Sequence, residues 1–164
     1  MKKLLSLLTF FTLTHQSHAQ GAKPTKEQTI TYLNSIYANE VRGKFDAGSN
    51  TTAYVTVTNL KLNGCILDFS TSLKYSGDDQ LYYSNYNLDL SKIEKIEMKD
   101  KFVYFITHNH MKLISVTNKE NSEVKSYMES YVELPATIGS EKVIKAFNHL
   151  RKLCGAPEPI DFGE

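Results

Sequence analysis

TAYVTVTNLKLNGCILDFSTSLKY, residues 52–75, decides the fold. Its first half is rich in β-branched residues and alternates apolar with polar, a period of two that turns one face to a core and the other to water. Asn63-Gly64 interrupts the run, and a second one starts at Cys65. Asn-Gly between two such runs is the strongest short hairpin signal, because both residues tolerate the positive φ of a type I′ turn. The pattern predicts two antiparallel strands, with Cys65, Leu67 and Phe69 on the core face of the second.

Toward the C-terminus the same grammar repeats. Residues 76–79 (SGDD) form a turn, in which Asp78 and Asp79 serve as turn residues. QLYYSNYNL (80–88) reads as a strand. SKIEKIEM (91–98) reads as another, with an opening that suits a helical turn. FVYFIT (102–107), MKLISVT (111–117) and EVKSYMESYVEL (123–134) complete the series, the last as one long strand. Along it Val124, Met128 and Val132 alternate with Lys125, Tyr127, Glu129, Tyr131 and Glu133, and the second set is expected to face outward. Seven short antiparallel strands with turns between them predict a bent sheet or a small barrel.

A helix flanks each end. Thr25 and Gln28 have capping-box spacing, and Ile30, Leu33, Tyr37 and Val41 follow at helical intervals, so a helix is expected from about Lys26 to Val41. Near the C-terminus, Ser140 suits an N-cap. Val143, Phe147, Leu150 and Cys154 then form one apolar stripe, and Gly155 suits the C′ position. Residues 156–164 are expected to be a mobile tail. The class is therefore α+β, with the amphipathic last helix packed on the sheet.

Residues 1–19, MKKLLSLLTFFTLTHQSHA, have the layout of a signal peptide: Lys2 and Lys3, then a short apolar stretch, then small Ser17 and Ala19 before the expected cleavage. The stretch is shorter than the roughly 20 apolar residues a membrane span needs. One globular domain, residues 20–164, is expected, periplasmic or secreted, with no transmembrane segment after cleavage. Loss of Lys2 and Lys3 takes 19 basic residues to 17 against 18 acidic ones. That balance lacks the basic excess of a nucleic-acid binder.

Seven strands closed by a C-terminal helix resemble the pleckstrin-homology-like architecture, in which the last helix plugs one end of a bent barrel. TKEQTITYLNSIY (25–37) and EKVIKAFNHLRKLCG (141–155) look like the two ends of small exported bacterial proteins of unknown function. The resemblance implies a fold and no activity, and the N-terminal helix is extra to that plan. A lipocalin-like barrel is the structural competitor, though it wants eight strands.

Candidate chemistry is sparse. His108 and His110 could give a metal two ligands, where a zinc site needs three or four; His-Asn-His between two apolar runs is also good turn chemistry. A hairpin tip is the expected reading, with no metal and no cofactor. The sequence contains no G-x-S-x-G, H-E-x-x-H or glycine-rich phosphate loop. Cys65 and Cys154 both point inward, so a disulfide is feasible in an oxidising compartment, as are two separate buried thiols. The chain has ten Tyr and no Trp. Tyr127 and Tyr131, rimmed by charge, are expected to make an exposed contact patch, with Tyr82, Tyr83 and Tyr86 adding to it. The expected function is a non-catalytic binding or envelope-associated module for an envelope protein or a small ligand. A small hydrolase with a scattered site, and a carrier of a small apolar ligand, are the alternatives.

Overall fold

The computed structural model describes residues 23–38, 42–46, 51–77, 80–120, 123–136 and 140–158. Helix α1 (Lys26–Ala38) is followed by strands β1 (Arg42–Asp46), β2 (Thr52–Asn63), β3 (Ile66–Tyr75), β4 (Tyr82–Asp89), β5 (Ile93–Lys99), β6 (Phe102–Thr107), β7 (Ile114–Glu120), β8 (Glu123–Glu129) and β9 (Tyr131–Pro135), and by helix α2 (Ser140–Leu153). A 3-10 turn, Leu90–Lys92, opens β5, as its sequence allows. The strands pair antiparallel in two sheets, β1-β2-β3-β4-β7-β8 and β5-β6-β9. The fold is the expected α+β, realised as two separate sheets and not a closed barrel.

The first hairpin forms with a one-residue correction. Asn63 pairs with Ile66, so Gly64 and Cys65 are the central turn residues. Gly64 takes φ +62°, as the first position of a II′ turn requires, and Asn63 stays in the ladder. A bulge follows from the register shift between Thr58 and Lys61. Asn59 bends there with φ +57°, and the inward phase moves from Ala53 and Val57 to Leu60.

The long last strand is two strands. At Ser130 the chain leaves the large sheet as β8 and enters the small one as β9. The Ser130 carbonyl accepts from both the backbone N–H and the hydroxyl of Thr107, which pins the corner. The break also resets the phase. Val132 and Leu134 face the core as expected, but Val124 and Met128 are 63% and 43% exposed. Tyr127 lies opposite buried Val116, on the core side of the large sheet, against expectation.

The histidine turn is likewise corrected. Asn109 and His110 take positive φ, as turn residues should. Yet β6 and β7 belong to different sheets, so the turn is a crossover and not a hairpin tip. The backbone N–H of Asn109 donates to Glu94 Oε2 at 2.9 Å, and His108 Nδ1 lies 3.6 Å from the same oxygen.

Both helices close one end of the molecule. The Thr25–Gln28 capping box is formed in both directions; residues 39–41, expected to prolong α1, lie outside the described residues. Phe147 of α2 packs edge-on to Phe105 of β6 at 4.9 Å and lies 6.3 Å from Tyr37 of α1. Burial raises the Tyr37 hydroxyl pKa. Cys154 is bonded to Cys65, with Cα atoms 5.5 Å apart. Gly155 ends α2 with φ +73°. Its N–H reaches Lys152 O and that of Ala156 reaches Arg151 O, the Schellman pattern. Arg151 is 1% exposed. Its Nη1 donates to the carbonyls of Ile93, Glu94 and Pro157. Of the stretch expected to be a mobile tail, Pro157 O accepts from Arg151 and Glu158 lies 2.9 Å from Lys152 Nζ; residues 159–164 lie outside the described residues.

Candidate functional site

The core-side face of the large sheet changes character along its strands. Nearest the helices it is apolar: Leu67 pairs with Leu88, then Phe69 with Tyr86 and Tyr86 with Val116. The next row reads Val57, Thr71, Ser84, Asn118, Lys125. The row beyond it reads Val55, Leu73, Tyr82. From Leu67 to Leu73 is about 20 Å along the strand. A row of hydroxyl and amide groups on a core-side face cannot be closed over by apolar packing without losing its hydrogen bonds to water. The small sheet covers the apolar rows, and a cleft of about 510 Å³ opens over the polar one.

Tyrosine rings flank that floor. Tyr86 stacks on Phe69 at 4.7 Å, and Tyr82 meets Tyr75 edge-on at 5.8 Å. Tyr83 and Lys119, paired with each other across β4 and β7, contribute at the margin. From the small sheet come Phe102, Glu133 and Pro135. Glu133 accepts a hydrogen bond from the Tyr104 hydroxyl, which pushes the phenol pKa up to about 12, with burial adding to the rise.

Asn118 is the floor's distinctive group. Its Nδ2 donates to the Tyr127 hydroxyl at 2.9 Å. Its Oδ1 is buried and has no hydrogen-bond partner. A buried carbonyl oxygen without a donor is costly, by about 1–3 kcal/mol, and a bound N–H or O–H would remove that cost.

Of the five tyrosines singled out in the sequence, Tyr82, Tyr83 and Tyr86 line this cleft. Tyr127 touches it only through Asn118. Tyr131 does not join it: it is 51% exposed on the small sheet, stacked 6.3 Å from Tyr104. Tyr127 and Tyr131 therefore lie in different sheets and do not share one strand face. Thr71, Ser84 and Asn118 were not singled out, and Glu133 was expected only in the charged rim around Tyr127 and Tyr131. The first three had a signal, as small polar residues in the inward phase of their strands.

Among the described residues no three His, Cys, Asp or Glu side chains are grouped to hold a metal ion. His149 sits on α2 with Nε2 2.6 Å from Pro24 O. No described helix is long and apolar enough to cross a membrane. No protein-family model, curated protein or solved structure matches the chain. The cleft's own chemistry carries the functional reading.

Proposed function

We propose that the protein is an exported, non-catalytic binding module that takes a small amphipathic ligand in the cleft between its sheets. The observation that supports this reading is the orphaned Asn118 Oδ1 on a polar floor beside tyrosine rings. Tyrosines offer flat apolar area with few rotatable bonds, and a few placed polar groups fix orientation. The matching ligand presents an N–H or O–H to Asn118 and a flat apolar face to Tyr82 and Tyr86. Glu133, the acidic side chain among the described lining residues, is engaged by Tyr104 and serves orientation. The Cys65–Cys154 bond fits an oxidising compartment, and the leader pattern of residues 1–19 supports export with cleavage before Gln20.

The test is a thermal-shift screen of amphipathic hydrogen-bond donors against the oxidised protein. A ligand that raises the melting temperature of the wild type and not of Asn118→Leu or Tyr82→Ala supports the assignment. Equal shifts in all three place the ligand elsewhere and defeat it. Intact mass of exported protein tests the leader separately, with Gln20 as the first residue expected.

A further inference from the structure

Strand β8 is an edge of the six-stranded sheet, paired only with β7 among the described strands. Every residue from Glu123 to Met128 is exposed, although three of the six are Val124, Tyr127 and Met128. An open edge carries unpaired N–H and C=O groups that template a further strand. A lone lysine on an edge guards against such pairing. Lys125 is not alone: Tyr127 and Glu129 follow it on the same face, at the spacing of alternate residues.

We infer that β8 is a self-association edge, taking a second copy of this chain antiparallel, centred on Tyr127. A two-fold axis perpendicular to the sheet keeps each face on its own side, so core-side residues meet core-side residues. Three registers use most of the strand. Centring on Lys125 sets Lys125 against itself. Centring on Ser126 sets Glu123 against Glu129. Centring on Tyr127 sets Lys125 against Glu129 twice, Tyr127 against Tyr127, and Met128 against Ser126. Opposite charges directly across an antiparallel pair stabilise it and like charges destabilise it, so the third register is selected. Lys125 has Glu123 as its near partner within the chain, at 3.3 Å, and both are largely exposed, so it is free to turn to a second carboxylate. The two six-stranded sheets would then run on as one, covering Val124 and Met128 at the seam. The inference is independent of the cleft and of its ligand.

Sedimentation velocity on the oxidised wild type should show a concentration-dependent monomer–dimer equilibrium. Lys125→Glu alone and Glu129→Lys alone each turn both cross-strand pairs repulsive, and each should raise the dissociation constant about tenfold or more. The double variant restores both pairs and should dimerise like the wild type. Mixing the two single variants should give a heterodimer, since each then offers the charge the other lacks. Circular dichroism should show all variants folded. A wild type that stays monomeric at every concentration overturns the inference. So do single variants that dimerise as well as wild type, or a mixture that fails to associate.

Discussion

Asn118 on β7 and Tyr127 on β8 are joined by one hydrogen bond of 2.9 Å, and the amide they share keeps its other end, Oδ1, without a donor. One residue thus ties the sheet's edge strand to the floor of the cleft and keeps a buried acceptor unpaired there.

Asn118→Leu should separate stability from binding. It removes an orphaned acceptor and a bond to a half-exposed phenol, so unfolding free energy should change by less than about 1 kcal/mol. The affinity for any cleft ligand that donates to Oδ1 should fall about tenfold or more, a loss of about 1–3 kcal/mol. Urea unfolding and calorimetric titration on the same samples measure the two effects. A large loss of stability with binding intact would refute the assignment.

Cys65→Ser with Cys154→Ser should cost about 4 kcal/mol, from the long loop that the bond closes in the unfolded chain. The measurement is chemical unfolding of the double variant against oxidised wild type. Free-thiol titration in denaturant should give none for the wild type, and two thiols per chain would show the bond absent.

Arg151→Met should destabilise by about 2–3 kcal/mol. It deprives the Ile93, Glu94 and Pro157 carbonyls of their common donor while keeping the apolar stem. Urea unfolding reads the loss. Limited proteolysis should then cut after residue 155 faster than in the wild type.

Alkaline titration should find Tyr104 late. Its neutral form is held by Glu133, so its folded-state pKa, about 12, lies above the ordinary value of 10.0. The stabilisation is present in full below pH 10 and is lost as pH rises through about 12. Glu133→Gln should bring the Tyr104 pKa down toward 10 in an NMR titration of the tyrosine ring carbons. An unchanged value would show that the carboxylate does not hold the phenol.

His108→Asn with His110→Asn should leave stability within about 0.5 kcal/mol, because both side chains are exposed in a turn whose positive φ asparagine accepts. Stoichiometric metal in the wild type, lost in that double variant, would reverse the assignment of these residues to the turn.

Local chemistry was legible in the sequence and pairing partners were not. The Thr25–Gln28 box, the α2 stripe and Gly155 each act within a few residues, and each appears as its pattern predicts. The hairpin was legible, but its register was not, since Gly64 serves as either the first or the second central residue and only cross-strand packing decides. EVKSYMESYVEL shows the limit most plainly. Its alternation is unbroken through Ser130, and the change of sheet there depends on Thr107, 23 residues away. With that corner invisible, Tyr127 and Tyr131 looked like neighbours on one face. The cleft was half legible. Ser84 and Asn118 stand in the inward phase of apolar strands, which marks a polar gap in a core face. Glu133 reaches the same space only through the β6–β9 pairing.

The bond between Cys65 and Cys154 also sets how the chain responds to pulling. Tension applied at the two ends runs into Cys65, crosses the sulfur pair and leaves at Cys154, so the intervening chain carries none of it. That segment would otherwise pay out about 300 Å when extended, where the bond holds its ends 5.5 Å apart. Force can therefore peel α1, β1 and β2 while β3 through α2 stay slack. A reductant in the pulling buffer should release the remaining length in a second step.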